Sequence, residues 1–285
     1  MRVHPVFWIA LLIAAPLGLI RDFLLIMAAV TIHEMTHVLV GLIFHARVTE
    51  VVVTPLGEAA VLKGLDRSPP WARALVILAG PAINLIIGFL GVGLFQITDI
   101  SMPENGLGLG YFFAANIVLG VFNMLPAFPL DGGRFCQLIL GNMIGVARAN
   151  RIICRASRIT AAFLIAVGLV QLTLFTFNIS LYLVGVYIIK NLSKERLRLS
   201  LDFFYYFTPG RRAAQRVVPI KFFAVTPSME MLNLIDCLRW DTYSVFHVYF
   251  KDGGIASFTE NDLMRYIRDN GLNGRAGELV FDDED

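Results

Sequence analysis

Charge is what this sequence has least of. Only 16% of its 285 residues are Asp, Glu, Lys or Arg, where a soluble chain carries roughly a quarter. Against that deficit, 56% of the residues are hydrophobic and the mean hydropathy is +0.67. This balance argues against a single soluble globule and for a polytopic membrane protein with one soluble part. The net charge of +2 is too small to mark a nucleic-acid binder, so no direct nucleic-acid contact is expected. Cysteine is scarce as well. Cys136, Cys154 and Cys237 lie far apart, with no CxxC spacing. That argues against a disulfide framework or a thiolate zinc site, and reads instead as three small buried apolar residues. The first apolar run has no small-x-small cleavage site, so no cleavable signal peptide is expected.

What is abundant is apolar run length. Runs cover residues 3–20, 23–44, 71–97 and 111–128, with weaker ones at 159–175 and 179–189. About 20 helical residues cross the roughly 30 Å hydrocarbon core. Lys and Arg collect in residues 46–73, again at Arg134, Arg148, Arg151, Arg155 and Arg158, and again at Lys190, Lys194, Arg196 and Arg198. Residues 98–110 hold none. About six transmembrane helices with both termini cytosolic satisfy these asymmetries.

Two segments do not read as spans. VTEVVVTPLGEAAVLKG, within residues 45–65, is β-branched around a Pro-Leu-Gly turn and predicts a membrane-associated β-hairpin. Residues 190–216, containing LDFFYYF, read either as a basic amphipathic linker helix on anionic lipid or as a solvated connector. From Val217 the composition turns soluble. The pattern there is strand, helix, strand, a turn at Asp252-Gly253-Gly254, strand, and a helix opened by a capping box from Thr259 to Asp262. The acidic tail FDDED reads as disordered. The expected division is thus a transmembrane domain over 1–189, a linker over 190–216, and a C-terminal α/β domain over 217–285.

The second apolar run contains VTIHEMTHVLVG, which places His33, Glu34 and His37 in a membrane-crossing segment. Ionisable groups at that depth are costly and mark function. His33 and His37 are four residues apart and so share one helix face. Two imidazoles at that spacing can hold one zinc ion, while Glu34, about 100° round the helix, reaches a water as general base. A third ligand should lie at the same depth. Asp131, in NMLPAFPLDGG just beyond the fourth run, is the best candidate, because Pro126 and Pro129 interrupt the helix there. A helix N-cap is the alternative role for Asp131, and the two are compatible. Two imidazoles and a carboxylate suit zinc, and ligand type alone also admits iron or cobalt. His4, His45 and His247 read as interfacial or surface residues.

HEMTH, AGPAIN at residues 79–84 and NMLPAFPLDGG together resemble the site-2 protease family of intramembrane zinc metallopeptidases. The resemblance implies one zinc ion per chain on His33, His37 and Asp131, with Glu34 as base. It implies that Asn123 holds the substrate or stabilises the oxyanion. Asn116 and Asn84 are weaker claimants that read equally well as helix-packing residues. Gly80 and Pro81 would shape a kink near the site. The hairpin, at Val52 and Val53, would offer an edge strand to an unwound substrate. The small size, the opening VHPVFW and the lack of a PDZ insertion look most like family members that process a sporulation pro-sigma factor of the pro-sigma-K type. That implies a membrane-associated pro-protein substrate, inhibitory membrane partner proteins, and a place in the outer membrane surrounding a forespore. Cleavage of an anti-sigma factor or a signal-peptide remnant is the enzymatic alternative. A metal-binding transporter is disfavoured by the lack of an internal repeat, and an inactive scaffold by the intact Glu34 and ligand set.

YSVFHVYFKDGGIASFTENDLMRYI resembles a single CBS domain. Such modules work in pairs, so one copy implies pairing between chains and a homo-oligomer. The resemblance also implies ATP or another adenine nucleotide near Thr259 and Asp262, or else a dimerisation module without a ligand.

Overall fold

The computed structural model describes residues 2–3, 12, 15–16, 18–54, 57–63, 65, 68–98, 107–174, 180–207, 219–240 and 242–281. The chain folds as two compact units. One comprises Met1–Leu125 with Leu130–Phe135, and the other Pro126–Pro129 with Cys136–Asp285.

The first unit is built on three helices, α1 (Ile20–Ile43), α2 (Pro70–Thr98) and α3 (Leu107–Asn123), which pack on one another. The first helix is rich in Leu, Ile, Met and Ala and apolar on nearly every face, as a helix surrounded by lipid and protein should be. It ends in a Schellman turn. His45 adopts φ 61°, its amide donates to the Leu42 carbonyl, and the Ala46 amide donates to Gly41. This reversal feeds β2 (Arg47–Thr54), which pairs antiparallel with β3 (Gly57–Lys63) and carries an irregularity between Val48 and Glu50. The predicted hairpin is therefore present, and β3 lies against α1. The second helix starts on Pro70, a position where the missing N–H costs nothing.

Val52 and Val53 do not form an open edge, because β1 (Arg2–Val3) pairs parallel with them, Arg2 opposite Val52 and Val3 opposite Val53. The sheet order is β1-β2-β3. Among the described residues, this makes β2 the central strand and leaves β3 as the end strand on the other side.

The third helix ends at Asn123, and α4 (Asp131–Ile144) begins with Asp131 itself. Gly132 permits the close return. A Cβ there would meet the Met124 and Leu125 carbonyl oxygens at 2.3 and 2.4 Å, distances no side chain tolerates. The glycine thus fixes Asp131 just under the end of α3.

The second unit holds the long helices α5 (Val146–Leu174) and α6 (Ser180–Tyr206), packed against each other, and a three-stranded sheet. The sheet order is β4 (Ile220–Val225), β5 (Tyr243–Tyr249), β6 (Ile255–Thr259), parallel then antiparallel. Helix α7 (Met231–Ile235) follows β4, and α8 (Glu260–Asn270) and α9 (Glu278–Phe281) follow β6. Through α8 this is the strand and helix order read from the sequence; α9 goes beyond that reading and takes in Phe281, the first residue of the FDDED tail. The capping box at Thr259 and Asp262 forms in both directions. Phe246, Val248 and Phe258 on one sheet face pack with Leu263, Met264 and Ile267 of α8 in the core. All three cysteines are free thiols, and burial pushes the Cys237 thiol pKa up, as expected of an inert side chain.

Among the described residues, three helices are long and apolar enough to cross a membrane: Ile20–Ile43, Pro70–Leu94 and Val146–Leu172. Gly108–Asn123 is apolar but shorter. Most of the first predicted run, and the tail after Phe281, lie outside the described residues. The run at 179–189 is the opening of α6, and the predicted linker does not start a new element at Lys190. The helix continues through Tyr206, because Lys, Glu, Arg and Leu sustain a helix after the apolar run has ended.

Candidate metal centre

The convergence of α1 with the start of α4 brings His33, His37 and Asp131 together, and all three are buried. His33 Nε2 lies 3.0 Å from Asp131 Oδ2, and His37 Nε2 lies 3.1 Å from the same oxygen. The two Nε2 atoms are 3.1 Å apart. Three donor atoms thus form a nearly equilateral triangle. Tetrahedral zinc with bonds of about 2.0–2.1 Å has ligand atoms about 3.3 Å apart, so the triangle is close to the size that zinc requires. The donor set also fits chemically, since two imidazoles and a carboxylate that converge this tightly repel one another unless a proton or cation lies among them.

The arrangement depends on α2. His37 Nδ1 donates to the Val76 carbonyl oxygen at 2.6 Å, which leaves Nε2 free to face the centre. Asn84, fully buried, places its side-chain amide 3.2 Å from His33 Nδ1. Gly80 sits between these two contacts. A Cβ on it would lie 2.3 Å from His37 Nε2 and 2.7 Å from His33 Nε2. The role of Gly80 is therefore steric, because any side chain would fill the position toward which the donors converge. Pro81 follows inside the same helix and removes the amide that would bond to the Ile77 carbonyl.

The structure brings together fewer of the remaining predicted residues. Glu34 is half-buried, next to His33 in α1. Asn123 and Asn116 turn their Nδ2 groups back onto their own helix, donating to the Leu119 and Phe112 carbonyls at 3.1 and 2.8 Å. The Asn116 Oδ1 is buried with no partner among the described residues. Val52 and Val53 belong to the central strand described above. Thr259 and Asp262 are hydrogen-bonded to each other at the start of α8, Oγ1 to Oδ2 at 2.6 Å and the Thr259 amide to Oδ2 at 2.9 Å. Sequence reasoning undervalued Asn84 and missed Val76. Asn84 had a legible signal, since Val76, Gly80 and Asn84 recur every four residues and so line one face of α2. Val76 contributes only its backbone, which no residue identity announces.

The sequence matches peptidase family M50 over residues 22–105 and 93–167, half of the chain. A zinc metalloprotease of Methanocaldococcus jannaschii is 27% identical over 229 residues, covering 80% of this chain and 62% of its own length. Stage IV sporulation protein FB of Bacillus subtilis is 25% identical over 287 residues, covering 93% of this chain and 96% of its own. The solved structure of a site-2 protease from Methanocaldococcus jannaschii superposes with a TM-score of 0.54 at 25% identity, over 68% of this chain and 88% of that one. Of three relatives, the archaeal metalloprotease included, this chain spans only 38–65% of their length.

Gly80→Ala should remove metal binding while leaving the helices formed. The measurement is zinc per chain by elemental analysis beside far-ultraviolet circular dichroism, and full zinc content in the variant would refute the steric role. On the triad, the glycine that faces it and the sequence match together, the chain is a membrane protein that belongs to peptidase family M50, the site-2 protease family.

Proposed function

We propose that the chain is an intramembrane zinc endopeptidase that cleaves a membrane-associated pro-protein. The observation that carries the proposal is the buried triangle of His33 Nε2, His37 Nε2 and Asp131 Oδ2, set among apolar helices. These three residues would hold a zinc ion, which would supply Lewis acidity toward a substrate carbonyl and an attacking water. Glu34 accepts the proton of the attacking water on its carboxylate and returns it to the departing amine. Asn123 exchanges its bond to the Leu119 carbonyl for the developing oxyanion of the substrate. Glu34→Gln keeps both histidines and nearly the same shape, and removes only the base. The expected result is unchanged zinc content with cleavage of a co-expressed pro-protein down about 10²–10⁴-fold. Cleavage at the wild-type rate would sink the assignment.

A helix shields its own carbonyls, so the substrate must be extended before it is cut. With β2 enclosed by β1 and β3, the strand proposed to receive the substrate is β3, by main-chain pairing. Alternate residues of an end strand turn their N–H groups outward. Of the adjacent variants Ala59→Pro and Ala60→Pro, one should therefore lose cleavage with zinc still bound. Normal cleavage by both would exclude β3 as the receiving edge.

The substrate is proposed to be a sporulation pro-sigma factor. This rests on the near full-length match to stage IV sporulation protein FB on both chains. The C-terminal sheet is proposed to pair with that of a second copy. Its outer face exposes Ile220 by 58%, Phe222 by 61%, Tyr249 by 49% and Ile255 by 61%, an apolar set around His247, which stacks on Phe222 and bonds to Ser257. Phe222→Asp should halve the mass of the detergent-solubilised particle, and an unaltered mass in that variant would exclude this face as the interface. Thr259 and Asp262 are engaged in the cap of α8, which takes up the side-chain atoms that an adenine nucleotide would need.

A further inference from the structure

The geometry points to Asn84 as the residue that sets the tautomer and ring orientation of His33, and so as a positioning residue for the metal. This inference rests on the zinc reading proposed above. A histidine that ligates through Nε2 must be neutral and must carry its proton on Nδ1, so Nδ1 needs an acceptor. For His37 that acceptor is the Val76 carbonyl at 2.6 Å. For His33 the group in reach is the Asn84 amide at 3.2 Å.

In the structure Nδ2 of Asn84 lies against His33 Nδ1, and Oδ1 is buried with no partner among the described residues. The oxygen and nitrogen of an amide differ by a half-turn about one bond, and the hydrogen-bond network decides between them. Turned over, Asn84 presents Oδ1 to the Nδ1–H of His33. The previously unpartnered acceptor then has its donor, and His33 Nε2 is left as the lone-pair atom facing His37 and Asp131. A fully buried amide in an apolar helix is costly unless it is bonded, and this is the contact that the surroundings offer it. Val76 and Asn84 thus perform the same task for the two histidines, one from the backbone and one from a side chain, on either side of Gly80.

The test uses the full chain in detergent and two near-isosteric changes. Asn84→Asp keeps an acceptor, and Asn84→Leu keeps the volume and removes it. Zinc affinity is read by competition with a chromophoric chelator, and the ligand field by the visible spectrum of the cobalt-substituted protein. The expected result is a 10–100-fold loss of zinc affinity in Asn84→Leu, with an altered cobalt spectrum, and affinity within a few-fold of wild type in Asn84→Asp. Wild-type affinity in Asn84→Leu would overturn the inference. Equal losses in both variants would overturn it too, by showing that the amide only fills space. Failure of the wild-type chain to take up zinc at all would instead overturn the metal reading on which the inference stands.

Discussion

Two imidazoles and a carboxylate can converge to about 3 Å only if each histidine is held from behind. That requirement organises the first unit. His33 and His37 supply the donors from α1, and both tethers come from α2, where Val76 and Asn84 are eight residues apart. The earlier tether on α2 meets the later histidine on α1, so the two helices run antiparallel along this face. Gly80 lies at the midpoint, where the helices must leave room for the centre. The AGPAIN segment thereby becomes intelligible as a physical unit. Its glycine clears the space, its proline opens the backbone ladder beside it, and its asparagine engages a ring.

How much of this could be read in advance depended on whether the chemistry names a residue. HEMTH could be read because two ligands on one helix face must be four apart. LDGG could be read because a carboxylate at a proline-broken bend has few other uses at that depth. Gly132 turned out to be as necessary as its neighbour, since the Met124 and Leu125 carbonyls leave no space for a Cβ. The C-terminal sheet and the helix after it were legible too, because period-2 alternation in SVFHVYF, a DGG turn and a capping box are all local signals.

What escaped the reading was non-local. The pairing of Arg2 and Val3 with β2 joins residues fifty positions apart in a strand too short to carry any periodicity. It closed the edge that the hairpin alone had left open. The helical limits were misjudged for a different reason. Hydropathy reports where side chains prefer lipid, whereas a helix continues as long as its residues tolerate one. The apolar start of α6 and the charged stretch around Lys194 and Arg198 are therefore one helix of 27 residues, although they read as two elements. In the same way α5 begins at Val146 and carries four arginines before its apolar part.

Asp131 shows why the metal reading is preferred over a purely structural one. It is the first residue of α4, and a carboxylate at a helix N-terminus gains about 0.3–1 kcal/mol from the backbone dipoles. Taking that carboxylate out of water costs several kcal/mol, so the helix start alone does not offset its burial. Two neutral imidazoles close part of the gap only if one gives up the geometry needed for a ligand. A divalent cation closes it without that loss and also removes the repulsion between the two Nε2 atoms. The favourable helix dipole and the ligating role therefore act on one side chain, the first residue of α4 rather than its N-cap. The helix start aims Asp131 at the histidines, and the charge at the centre is what makes its burial favourable.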